Sequence, residues 1–170
     1  MSERQELRLI FTTPATRSAL RRKQLEASGV RLLTELGAGG TDGTDGAGHR
    51  PALPAERNVW RLMASSSVVP LRMIPSDEVA EARAAAHREW LALSSELAVV
   101  AADGSFLISV PTDGPDLGWA RVMLTPETLL PSDQIDEFVA LSEDGVHYSA
   151  VSSEEHGYWI IVGETGQPPR

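Results

Sequence analysis

Apolar and polar positions alternate between strand-like and helix-like spacing from the start of the chain. Leu7-Arg8-Leu9-Ile10-Phe11 has the character of a strand and ends at Thr12-Thr13-Pro14. Thr13 is placed to accept from the orphan N–H groups of a helix start, and Pro14 suits the first helical position. The spacing predicts a helix over 14–28 with Gly29 as its stop, then a strand at Val30-Arg31-Leu32-Leu33-Thr34. Strand, helix and strand in succession form a β-α-β-like unit if the strands are parallel. Two strands alone do not stand in water, so this unit must join something larger.

A glycine-rich stretch, residues 37–50, follows, and Pro51 and Pro54 stiffen its exit. Val59 to Met63 and Val68 to Ile74 are predicted as strands; Pro70 interrupts the second, which suits an edge strand or the first residue of a strand. The clearest helix is predicted over 76–93, with Ser76 as N-cap. Val79, Ala82, Ala86, Trp90 and Leu93 give it one apolar stripe. Leu97 to Ala102 and Phe106 to Val110 flank Asp103-Gly104, a hairpin signal. Ala120 to Leu124 is a further strand. A short helix is predicted at about 132–141, capped by Ser132, with Ile135, Phe138 and Val139 inside. Val146 to Val151 and Tyr158 to Val162 form a last hairpin.

These elements predict an α+β fold: an antiparallel sheet with two main helices packed on it, plus the N-terminal β-α-β-like unit joined through the Gly-rich loop. The division is 1–36 for that unit, 37–58 for the Gly/Pro-rich linker, 59–163 for the α+β core and 164–170 for a frayed tail, within one compact domain. From residue 76 the predicted order is helix, three strands, helix, two strands. That order resembles the type III secretion chaperone-like fold, whose members are small acidic α+β proteins that bind other proteins. Size, charge and the Trp-bearing terminal hairpin are also similar to those of small acidic immunity proteins. Both resemblances imply a protein-binding role.

Charge changes the picture more than composition does. The 170 residues carry 15 basic and 24 acidic groups. Residues 94–170 hold thirteen of the acidic groups and only Arg121 and Arg170 as cations, a net −11. This excess opposes binding to nucleic acid or anionic membrane, since both present phosphate. It favours a basic protein partner. With no cysteine there is no thiolate nucleophile or thiolate metal site. Met1-Ser2-Glu3-Arg4 runs straight into a strand-like segment without the apolar stretch of a secretory signal, so the expected location is the cytoplasm.

Candidate chemistry is sparse. The tandem Thr-Asp-Gly of residues 41–46 offers hard oxygen ligands, but two triplets without interleaved apolar residues do not make a calcium wrap. His147 and His156 lie on or near the last hairpin beside carboxylates, yet at opposite ends of it, so no metal or other cofactor is expected. No nucleophile elbow is present, and no carboxylate pair has the contrasting environments that acid–base work requires. Arg17, Arg21 and Arg22 cluster on the first helix. They suit either an anionic ligand or pairing with the chain's own acidic half. Trp119 is read as an exposed anchor or a rim residue closing the core, and Tyr158 and Trp159 point to opposite faces of one strand.

The leading expectation is a non-enzymatic acidic module that recognises a basic protein through its C-terminal half. Trp119, Asp136, Glu137, Glu154, Glu155 and Trp159 are its candidate contact residues. The alternative is a small-molecule-binding or enzymatic domain that holds an anionic ligand near Arg17, Arg21 and Arg22.

Overall fold

The computed structural model describes residues 13–37, 53–65, 68–76, 78–112 and 117–166. Among these residues three helices form: α1 (Pro14–Ala27), α2 (Glu56–Met63) and α3 (Val79–Glu96). The same residues hold seven strands: β1 (Arg31–Glu35), β2 (Arg72–Pro75), β3 (Ser105–Ser109), β4 (Ala120–Met123), β5 (Phe138–Leu141), β6 (His147–Glu154) and β7 (Gly157–Glu164). They build one open antiparallel sheet of order β1-β4-β3-β5-β6-β7-β2. The fold is α+β, as the sequence predicts. The Leu7–Phe11 strand, the Thr-Asp-Gly repeats, the centre of the 112–116 loop and the last four residues lie outside the described residues.

Each local start and stop has a physical cause. Thr13 caps α1 by accepting from the Thr16 N–H at 3.2 Å, and Pro14 opens the helix. Gly29 ends it at φ +71°, where an added Cβ would lie 2.5 Å from the Glu127 carbonyl oxygen. The chain then enters β1, which pairs with β4 at one edge of the sheet. The N-terminal helix and strand are therefore continuous with the main sheet.

Both sheet faces are covered, and the strand alternation sorts the core into two layers. Phe106, Ile108, Val122, Phe138, Ala140, Val151 and Ile160 face Leu25 of α1 and Ala82, Ala86 and Trp90 of α3. Leu107, Val139, Leu141, Tyr148, Ala150 and Ile161 face the other way, against Val59, Trp60 and Met63 of α2. Trp90 is fully buried, edge-on to Phe138 at 4.9 Å, and its indole N–H donates to Ser149 Oγ at 2.9 Å. The second heteroatom shell is closed too, because Ser94 Oγ lies 2.7 Å from Ser149 Oγ.

Four predicted elements differ from the structure. Residues 59–63 belong to helix α2 rather than to a strand; Glu56 and Val59 are buried one turn apart, so a short apolar run there has helical spacing. Residues 97–102 form no strand. The Val99 and Val100 N–H groups both donate to the Ser94 carbonyl, so they close the end of α3 instead of joining a ladder. Asp103-Gly104 still turns the chain, with Asp103 accepting from the Ser105 N–H at 2.9 Å. Residues 132–141 are not a helix. Ser132 does accept from the N–H groups of Gln134 and Ile135, but Phe138–Leu141 becomes a central strand. All four of its residues are buried because both faces are covered, which erases the alternation that marks a half-exposed strand. Among the described residues, the order behind the likeness to type III secretion chaperones therefore does not occur: after α3 come five strands with no helix between them. Finally, α3 begins at Val79 rather than Ser76, whose N–H is held by the His156 carbonyl beside β2.

Candidate functional site: an acidic groove at one end of the sheet

Antiparallel pairing of β5 with β6 sets Phe138 opposite Val151. The residues before β5 therefore lie beside the end of β6 and the turn into β7. This brings Asp136 and Glu137 next to Ser153, with Glu154 and Glu155 following along the chain. Glu137 Oε1 accepts from the Ser153 N–H at 3.1 Å. Glu154 Oε1 accepts from Ser152 Oγ at 2.7 Å, and Glu155 is exposed in the turn. A groove of about 400 Å³ opens here. Asp136, Glu137 and Ser153 supply its polar wall, and Val110, Pro111 and Ile135 its apolar wall.

Asp136 is the best-held carboxylate of the group. Its Oδ1 accepts from the Tyr158 hydroxyl at 2.6 Å, and Arg83 Nη2 lies 3.4 Å away. Arg83 Nε donates to the same hydroxyl at 3.2 Å. Burial pushes the Asp136 carboxyl up, but the hydrogen bonds from Tyr158 and Ser153 and the Arg83 charge together outweigh it and hold it below its ordinary value. Tyr158 is held above its ordinary value, first by burial and then by its bond to Asp136. This network ties β7, α3 and the lead into β5 together. It fixes one wall of the groove with a carboxylate that stays ionised at neutral pH.

The C-terminal carboxylates do not form one continuous surface. Asp103, Glu143, Asp144 and Glu164 gather at the other end of the central strands. There Arg121 Nε donates to Glu143 Oε1 at 2.6 Å, and His147 Nε2 lies 3.7 Å from Glu164 Oε1. Asp144 is used internally, accepting from Ser142 Oγ and the Val146 N–H. The groove end thus carries Asp136, Glu137, Glu154 and Glu155, and among the described residues Arg83 is the cation in an ion pair with them.

The two tryptophans separate. Trp159 is half-buried on β7, opposite Ser152 of β6 and Met73 of β2. Trp119 is only 2% exposed, and its indole N–H donates to the Pro54 carbonyl at 2.8 Å. It closes the core beneath α2 and presents no anchor to solvent.

The arginine cluster of α1 also separates. Arg22 is exposed, whereas Arg17 and Arg21 are buried. Arg21, 1% exposed, donates from Nη1 to the Gly118 carbonyl at 2.6 Å, and its Nη2 lies 3.5 Å from Glu35 Oε2. Ser18 Oγ donates to the same Glu35 oxygen. On the other side of the Gly118 Cα, its N–H donates to buried Glu56 at 2.7 Å. Arg21 therefore meets a carboxylate of β1, not of the acidic C-terminal half. Glu56 was missed because a glutamate at a helix start normally faces water.

Among the described residues no group of three or more His, Asp or Glu side chains is arranged to hold a metal ion. No described helix is long and apolar enough to cross a membrane. No family model, curated protein or solved structure matches this chain.

Proposed function

We propose that the chain is an acidic protein-binding module and that the groove end of its sheet receives basic side chains of a partner protein. The observation that carries this reading is that Asp136 and Glu137 line a groove with one apolar wall, while exposed Glu154 and Glu155 follow its Ser153 at the same end of the sheet. Such a groove accommodates the aliphatic stem of a lysine or arginine along Val110, Pro111 and Ile135 while its charged head meets the carboxylates. Each exposed pair contributes at most about 1 kcal/mol. Several together steer encounter and fix register rather than provide very tight binding.

The test is calorimetric titration with a soluble lysine-rich peptide at low and at high salt. The affinity should fall steeply as salt rises, because rim charges are screened over about 10 Å at 0.1 M ionic strength. An affinity that does not change with salt overturns the proposal. The anionic-ligand alternative finds no support in Arg17 and Arg21, which are turned into the protein.

A further inference from the structure

We infer that the open edge of β2 is a second part of the same docking surface and accepts an extended segment of the basic partner as an added strand. This inference rests on the protein-binding reading above and names how the partner is held.

β2 ends the sheet, and among the described residues no strand pairs with its outer side. The Ser76 N–H donates to the His156 carbonyl, in register with the Ile74–Tyr158 and Arg72–Ile160 pairs. In an antiparallel ladder the bonding direction alternates, so the N–H and C=O of Met73 point away from β7. An open edge of this kind is a template for another strand.

Side chains on both faces of the edge fit an incoming strand. On one face Met73 lies beside half-buried Trp159, and with Val69 and Leu71, which precede it on the chain, it makes an apolar stripe along the approach to β2, 67%, 75% and 45% exposed in that order. On the other, a groove of about 510 Å³ lies between β2 and α3, lined by Ile74, Pro75, Ala82 and Ala85, with Glu78 and Glu81 at the start of α3 and Arg88 further along it. A strand laid along β2 places alternate side chains on these two surfaces. One set covers the apolar stripe. The other set crosses the alanines, and its members nearest Glu78 and Glu81 are best cationic, two carboxylates there outnumbering Arg88. Charge also chooses between occupants. A second copy of the chain would bring together two molecules that each carry a net −9. A segment alternating apolar and basic residues satisfies both faces.

The probe is a blocked, fluorescein-labelled nonapeptide of alternating lysine and valine, followed by anisotropy. Two further versions carry backbone N-methyl groups on either the odd or the even residues. Strand addition predicts that one methylated register binds about tenfold or more weakly while the other binds like the parent, because only one set of amides meets β2. Met73→Pro should weaken the parent peptide similarly, since it removes an outward N–H that the native ladder does not use. The methylated peptides need no variant protein, so they decide the matter even if Met73→Pro fails to fold.

Equal binding of both methylated registers overturns strand addition. If Glu154→Lys with Glu155→Lys still weakens that binding, the acidic groove reading survives. If the methylated registers differ but the charge reversal has no effect, the edge stands and the groove reading falls. No saturable binding of the parent peptide overturns both. A protein that sediments as a dimer and becomes monomeric on Met73→Pro assigns the edge to a second copy, and overturns the inference as well.

Discussion

Replacing Gly118 with alanine tests one of the tightest backbone crossings among the described residues. Gly118 has φ +83°, and an added Cβ would sit 2.1 Å from the Leu36 carbonyl oxygen. The left-handed backbone alone costs a non-glycine residue about 1 kcal/mol. The overlap is backbone against backbone, so no side chain can swing aside. Relieving it moves the 118 peptide by roughly 1 Å, far enough to break hydrogen bonds that tolerate only a few tenths of an ångström. Three bonds converge there: Arg21 Nη1 to the Gly118 carbonyl, the Gly118 N–H to Glu56, and the Leu36 N–H to the Trp119 carbonyl. Leaving buried partners unmet costs about 1–3 kcal/mol each, more when one is charged. Even with partial relaxation, the loss should reach about 4 kcal/mol. Urea unfolding followed by tryptophan fluorescence measures it as a lower midpoint at unchanged slope. A loss under about 1 kcal/mol would refute the idea that Arg21 and Glu56 clamp Gly118 from its two sides.

Two other perturbations bear on the packing and the groove. Trp90→Phe removes the bond to Ser149 and leaves space beside Phe138, and should lower the thermal midpoint by about 5–10 °C, corresponding to about 2–3 kcal/mol; an unchanged midpoint contradicts the buried indole. Asp136 is depressed below its ordinary value, so its contribution to stability is present above the unfolded-state value and is lost as pH falls through the folded one. Asp136→Asn and Tyr158→Phe should each flatten the acid limb of the stability profile relative to the parent, and a parallel acid limb in both variants would show that the carboxylate is not held by Tyr158 and Arg83.

Much of the architecture is legible from local signals, because those signals and the tertiary fold agree. Thr13-Pro14 and Gly29 bracket α1, Ala82, Ala86 and Trp90 mark the buried stripe of α3, and β6 and β7 form the expected terminal hairpin. Errors fall where a short apolar run fits either period. Val59–Met63 and Phe138–Leu141 exchange roles, helix for strand and strand for helix, because only tertiary covering decides between them. The acidic contact residues were legible in part. The pairing of β5 with β6 unites Asp136, Glu137, Glu154 and Glu155, whereas Asp103, Glu143 and Asp144 go to the far end. Net charge along the sequence does not contain that division. The burial of Arg17, Arg21 and Glu56 was illegible as well, since charged side chains at helix positions of this kind ordinarily stay in water.

Two charge-reversed proteins of equal net charge test the docking claim most directly. Glu154→Lys with Glu155→Lys alters the groove end, and Glu96→Lys with Glu127→Lys alters exposed carboxylates elsewhere. Anisotropy titration of the lysine–valine nonapeptide should show binding about tenfold weaker for the first protein, from two lost attractions of up to about 1 kcal/mol each, and near-parent binding for the second. Equal weakening in both would mean that the peptide responds to overall charge and that the groove end is no docking site.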